Sequence, residues 1–274
     1  MLKQRVITAV LILPIALAAI VLTPVLWFDV LIVILLGGLM NEWMRLVPAA
    51  RAWRFVFILL TPLIFVAALT DWSHADQLRA SLLLVAVVLW LLSPFWLVAR
   101  HPLTVLVKTL AGVFIVAGAG VALHELKTMT PNGALVLLVF LLVWAADIGA
   151  YFAGTLLGRR RLAPAISPGK TWEGLFGGLL LTLLVGVSAG YLLAGMRASV
   201  AWVALLAGVA IISVIGDLVE SLLKRQADVK DSGKLLPGHG GILDRLDSIL
   251  AAAPLFLFMA EHSGLLADMN RFGQ

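Results

Sequence analysis

The sequence predicts an all-α, polytopic integral membrane protein of about nine transmembrane helices. Three observations carry this reading. Mean hydropathy is +1.07. Only 13% of residues are charged, about half the share usual in a soluble domain. Apolar runs near twenty residues, the length a helix needs to cross a bilayer, recur along the whole chain. In lipid each backbone N–H and C=O has to be bonded internally, so Leu-, Val-, Ala- and Ile-rich runs of this length form helices. A barrel would show alternation over about ten residues, and none is seen.

The spans run over 6–26, 28–47, 53–70, 80–98, 104–123, 134–157, 173–195, 199–223 and 247–265. The first follows Lys3 and Arg5 as a signal peptide would. It is too long for that and lacks a small-x-small cleavage site, so it reads as a retained span. Short turns join the second span to the third and the fourth to the fifth. Two connections, 158–172 and 224–246, are polar and rich in Gly and Pro. The chain divides into N-terminal helices (1–103), middle helices with a polar loop (104–172), and C-terminal helices with the loop that carries the chemistry (173–274).

Charge sorts the loops. With the N-terminus inside, sixteen Lys and Arg fall on inner segments and four on outer ones, a strong positive-inside bias. Both polar loops are then cytoplasmic and the C-terminus lies outside. The net charge of +5 and pI near 9.9 read as topology signals and headgroup contacts, not as a nucleic-acid surface. The chain has no cysteine, which excludes disulfides, Cys-based zinc sites and thiol nucleophiles. Its tryptophans mostly fit interfacial belts.

Acids inside spans are expensive, so each poses a question. Asp147, Tyr151, Gly154 and Gly158 share one helical face, which fits either a wet cavity or a small-residue packing seam. Asp217, Glu220, Ser221 and Lys224 share another, leading to Lys224–Arg225 at the cytoplasmic surface. That face suits a divalent cation held between protein and phosphate; an ordinary basic helix end explains Lys224 and Arg225 but not the deeper Asp217. In "GHGGILDRLDS" (238–248), Gly238, Gly240 and Gly241 let backbone approach a bound phosphate, and His239 has a donor to offer it. Asp244, Asp247 and Ser248 open the ninth span, where carboxylates are favourable in any case. "SPGKTWEG" (167–174) contains Gly-Lys-Thr, but Pro164 stands where a P-loop needs glycine and no strand is expected before it. Lys170 and Thr171 remain phosphate contacts to consider. Glu42, His124 and Glu125 are weaker signals near span ends, where snorkelling is cheap.

Residues 221–247, "SLLKRQADVKDSGKLLPGHGGILDRLD", closely resemble the signature of the phosphatidate cytidylyltransferase (CDP-diacylglycerol synthase) family. Ser221, Lys224, Arg225, Lys230, Asp231, His239, Gly240, Gly241, Asp244, Arg245 and Asp247 all match its fixed positions. The upstream D-x3-Y-x2-G and SP-x-KT-x-EG features are also similar; the first five spans carry only a generic likeness. The resemblance implies a multi-pass enzyme of the bacterial inner membrane that requires Mg²⁺. Its substrates would be CTP and phosphatidate, and its products CDP-diacylglycerol and pyrophosphate. It places the metal on Asp217 and Asp244; Asp147 is a third expected ligand, facing the same cavity. A second, monovalent ion and a homodimer stay open. Asp217, Asp244, Lys224 and Arg245 are the expected catalytic residues. Ser221, Arg225, Lys230, Asp231, His239, Gly240, Gly241, Asp247, Lys170, Thr171 and Tyr151 are the expected substrate contacts. A CTP-dependent lipid kinase is the nearest rival. A transporter would show broken helices or repeats near the midplane, and neither is found. A CDP-alcohol phosphatidyltransferase would need D-x2-D-G-x2-A-R, which is absent.

Overall fold

The computed structural model describes residues 14–233, 235, 240–269 and 271–272. Residues 14–22 are helical (α1). There follow α2 (Val25–Arg45), α3 (Arg51–Leu69), α4 (Ala75–Ala99) and α5 (Val105–Met129). A 3₁₀ turn (Pro131–Gly133) leads into α6 (Ala134–Leu156). A two-stranded hairpin, β1 (Arg161–Ala163) and β2 (Ser167–Thr171), precedes α7 (Trp172–Ala194) and α8 (Val200–Gln226). The chain closes with α9 (Leu243–His262) and the short α10 (Leu266–Met269). The protein is thus an all-α polytopic membrane protein. Among the described residues seven helices, α2 to α8, are long and apolar enough to cross a bilayer.

The predicted first span lies partly outside the described residues. The ninth exists as α9, but Asp244, Arg245 and Asp247 crowd its first turns. The apolar remainder is almost wholly buried in protein, from Ser248 to Leu257, so it is a core helix with little surface for lipid. The polar connection 158–172, expected as loop, folds into the antiparallel hairpin, with Arg161 opposite Thr171 and Ala163 opposite Ser167. Strands of three and five residues leave no alternation long enough to read.

Lipid tails are as apolar as leucine, so helices in a membrane associate through close packing, which small side chains permit. The central helix α5 shows this. A Cβ on Gly118 would lie 2.6 Å from the Ala86 Cβ and 2.8 Å from the Leu82 carbonyl oxygen of α4. On another side of α5, a Cβ on Gly112 would enter the Trp43 indole of α2. The α6–α7 pair is closer still: a Cβ on Gly177 would stand 2.2 Å from that of Ala153. Gly154 faces Thr171 and Gly174 across the same seam. These glycines therefore serve packing. Large apolar residues such as Leu59, Phe95 and Leu180 remain exposed on the outer faces, as a lipid-facing surface requires.

Contacts at the two ends fix an alternating, antiparallel order. At one end Gln226, the last residue of α8, donates to the Arg100 carbonyl after α4 (3.4 Å). At the other, Arg79 of α4 pairs with Glu125 of α5 (3.5 Å), and His124 with Asp29 of α2 (2.8 Å). The weaker signals His124 and Glu125 thus lie, with Asp29, at the end away from α8's basic terminus. Gly177→Val is expected to force α6 and α7 apart and destabilise the protein by roughly 1–3 kcal/mol. An unchanged thermal midpoint in detergent would remove the seam from the account.

Candidate active site

Helix α8 supplies the core of the site. Its 27 residues run unbroken to Gln226, so the i, i+3, i+4, i+7 spacing sets Asp217, Glu220, Ser221 and Lys224 on one face. Ser221 Oγ donates to Asp217 Oδ1 at 3.2 Å. Lys224 Nζ reaches back one turn to Glu220 Oε2 at 2.6 Å and across to Asp244 Oδ1 of α9 at 2.7 Å. One ammonium thus bridges two helices.

The hairpin brings the second cation. Ile166, at its turn, packs against Leu218 and Leu222 of α8, and Arg225 Nε donates to the Ile166 carbonyl at 3.4 Å. Docked this way, β2 aims Lys170 at Asp217, with Nζ 2.6 Å from Oδ2. Thr171 takes a different role from the expected phosphate contact: its Oγ1 accepts from the Gly174 N–H at 3.1 Å and caps α7. Asp147 sits at the exposed rim, in electrostatic contact with Lys170 and Asp217.

The glycine-rich loop closes over Asp244. Its Oδ2 accepts from the Gly241 N–H (2.8 Å), the Ser232 N–H (3.0 Å) and the Ser232 hydroxyl (3.0 Å). Burial alone would raise this carboxyl. The hydrogen bonds from Lys224, from the Glu220 carboxyl and from Gly241, with the Lys224 charge, hold it instead at about 2. It is therefore ionised throughout the physiological range. Gly240 has φ +83, a conformation that favours glycine. At Gly241 a Cβ would lie 2.2 Å from Glu42 Oε2 and 2.3 Å from Ser232 Oγ.

That contact exposes what sequence reasoning undervalued. Glu42 of α2 is fully buried. Its Oε2 accepts from Ser232 Oγ at 3.0 Å and from the Leu243 N–H at 2.8 Å. It thereby holds both the loop and the start of α9. The available signal was an acid at the end of an apolar run. The snorkelling account fails because Glu42 turns inward.

Among the described residues Asp217, Glu220 and Asp247 form one group, each with a ligand oxygen within 4.8 Å of the others. Asp244, expected beside Asp217, has both oxygens engaged by Lys224 and the loop. Lys230, Asp231 and Arg245 are exposed around the cluster. Tyr151 is exposed, with its ring edge-on to Phe152, and no contact joins it to the acids. His239, and Gly238 before it, lie outside the described residues.

An apolar bundle with one polar end, five carboxylates and two inward lysines there, and a loop tight with glycine narrows the class. The profile of the Cytidylyltransferase family matches residues 3–262. The chain belongs to this family. It is 41% identical over 265 residues to the phosphatidate cytidylyltransferase of Pseudomonas aeruginosa, covering 93% of this chain and 96% of that one. With the enzyme of that name from Haemophilus influenzae it shares 38% over 288 residues, 94% and 98% of the two chains. With that from Bacillus subtilis it shares 40% over 158 residues, 55% and 56%.

In this cytidylyltransferase, Glu42→Ala leaves the Ser232 hydroxyl and the Leu243 N–H without their acceptor. A hydrogen bond to a charged group is worth roughly 1.5–3 kcal/mol, so local opening of the loop is expected to rise steeply. Hydrogen exchange should show loss of protection at Leu243 and Gly241 with α5 unchanged. Protection retained at both amides would end the anchoring role of Glu42.

Proposed function

We propose that this cytidylyltransferase transfers CMP from CTP to phosphatidate, yielding CDP-diacylglycerol and pyrophosphate. The observation that carries the reading is the Lys170–Asp217 and Glu220–Lys224–Asp244 cluster beneath a glycine-tight loop at one end of an apolar bundle. A lipid-borne anion arriving along the bundle and a soluble polyanion arriving from water have that place in common. The relatives that match nearly the whole chain carry the same activity in their names.

A phosphate oxygen of phosphatidate attacks the α-phosphorus of CTP. The bond from that phosphorus to the oxygen bridging the β-phosphate breaks, and pyrophosphate leaves with the electron pair. The attacking oxygen is already anionic, so no general base is needed. What remains is to screen two polyanions from each other and hold the attack in line. Lys170 and Lys224 face the cluster and supply that screening, with Arg225, Lys230 and Arg245 around them. Ser221 orients Asp217 through its hydroxyl. The backbone around Gly240 and Gly241 leaves room for a phosphate to approach.

The residues fit a small hard cation. Five carboxylates, Asp147, Asp217, Glu220, Asp244 and Asp247, stand against two lysines in contact with them, Lys170 and Lys224. Glu220 Oε1 is buried with no hydrogen-bond partner among the described residues. Asp217, Glu220 and Asp247 would hold Mg²⁺, with Asp147 at the rim and Asp244 behind Lys224. When bound, Mg²⁺ supplies charge withdrawal from the phosphoryl oxygens.

The site end faces the cytoplasm in this reading, since the basic residues crowd that end. The hairpin and the α3–α4 connection then lie on opposite sides. In sealed cells an impermeant maleimide should label Ser73→Cys, and Ala165→Cys only after permeabilisation. Labelling of Ala165→Cys from outside would invert the orientation and separate the site from cytosolic CTP.

The reaction itself is tested with purified protein, phosphatidate, Mg²⁺ and CTP labelled at either phosphate. The α-label should appear in lipid and the γ-label in pyrophosphate. A γ-label in lipid with CDP released would mean a kinase. Asp217→Asn is expected to lower turnover roughly 100-fold or more, as the loss of several kcal/mol of charge stabilisation requires. Near-normal turnover would take Asp217 out of the site.

A further inference from the structure

A cavity of about 130 Å³ lies between α2, α4, α5 and α8, around the corner of α8 from the acid cluster. Val219 and Leu223 line it; at 100° per residue they stand roughly 100° from the face carrying Glu220 and Lys224. Trp43, the residue after Glu42, and Leu223, the residue before Lys224, set its depth beside the polar end of the bundle.

Its walls are apolar and held in place. Three tryptophans line it, and each spends its indole N–H on a backbone carbonyl: Trp43 on Lys108 (2.9 Å), Trp90 on Leu250 (2.9 Å) and Trp96 on His101 (2.8 Å). Ser93 donates its hydroxyl to the Trp90 carbonyl at 2.7 Å. The cavity is therefore lined by ring faces and hydrocarbon. Leu92 and Val107, at its edge, are exposed on the outer surface, so it opens sideways toward lipid.

Lys108 is the one charged side chain among the described residues that line it. It is only 5% exposed, and no ion pair or side-chain hydrogen bond engages its ammonium among the described residues. The undescribed residues contain no aspartate or glutamate. Its ammonium keeps some access to the outside, so it is available to an anion that arrives there. Apolar walls, a lateral opening and a single uncompensated cation match an amphiphile with an acyl chain and an anionic headgroup. The volume is near that of the ~150 Å³ apolar cavities that admit benzene, enough for a few methylenes of one chain.

We infer that this cavity is an auxiliary site for an anionic phospholipid, with part of an acyl chain between the tryptophans and the phosphate on Lys108. It is separate from the reacting centre, on a different side of α8. It recognises charge and chain, and a phosphodiester such as phosphatidylglycerol satisfies it.

Tryptophan fluorescence tests this in nanodiscs of phosphatidylcholine doped with a chain-brominated lipid. The measurement needs neither CTP nor turnover, so it stands apart from the transferase reading. Brominated phosphatidylglycerol is expected to quench at about fivefold lower mole fraction than brominated phosphatidylcholine, the preference one lysine gives. Lys108→Met should erase the preference and Lys108→Arg restore it. Ala111→Phe, which fills the cavity and leaves the charge, should erase the extra quenching as well. Equal quenching by the two lipids, or a preference that survives Lys108→Met, overturns the site. Relief of quenching by glycerol 3-phosphate or inorganic phosphate would make it a phosphate site and overturn the lipid.

Discussion

Lys224 makes the contact on which the polar end of this protein depends. Its ammonium sits 2.6 Å from Glu220 and 2.7 Å from Asp244, so it joins α8 to the first turn of α9 and engages two buried acids at once. Removing one partner from a buried ionic set is far costlier than never having built it, because the remaining charges are left in low dielectric. Here the ionised Asp244 would be left beside the Glu220 carboxyl between helices with no cation against it. The triad therefore fixes how deep α9 starts and where the loop before it has to return.

From that point the site is built outward in two directions. Asp244, held ionised, gathers Gly241 and Ser232 on its other oxygen. Ser232 passes to Glu42, and Glu42 to the Leu243 N–H. A loop from the C-terminal third is thereby bonded to a helix from the first fifty residues. In the other direction, Asp217 draws in Lys170 through a hairpin whose Ile166 is seated on α8. Both lysines are counter-ions and both lie where phosphate oxygens would come in the proposed reaction. A cation that already balances acids can be shared with an arriving anion, and the acids then have need of another cation. That exchange is the electrostatic reason for a metal in the proposed reaction.

Much of this was legible in the sequence, and the rest has physical reasons for being hidden. Hydropathy gives all seven helices from α2 to α8, with ends displaced by up to about six residues (α4 begins at Ala75, not 80, and α5 runs on to Met129, not 123), since a lipid-facing helix is apolar on every side. The 3.6 period assembles Asp217, Ser221 and Lys224 correctly because α8 is unbroken. The same period groups Tyr151 with Asp147, yet Tyr151 lies exposed against Phe152 while Gly154 belongs to the α6–α7 seam; one helical face is wide enough to serve two neighbours. Thr171 looked like part of a phosphate-binding run and is a helix cap, which no spacing distinguishes from a ligand. By its place at a span end Glu42 reads as a residue able to snorkel. Its true partners are 190 and 201 residues away in sequence, beyond the reach of any local pattern.

Position in the bundle completes the argument. Five carboxylates could not be placed mid-span without a cost that packing in lipid has no means to offset. At a helix end the same groups have water, lysines and a loop within reach, and the apolar body beneath stays dry. The tight α5 and α6–α7 seams matter for this reason. They contribute no chemistry, but they hold α2, α8 and α9 at fixed heights, so Glu42, Lys224 and Asp244 meet at hydrogen-bond distance. Charged contacts at 2.6–3.0 Å tolerate little play. A scaffold that slid by half a helical turn, about 2.7 Å, would break every bond between loop, α2 and α8 together. Rigid packing in the hydrocarbon region is thus the condition for a polar site at its edge.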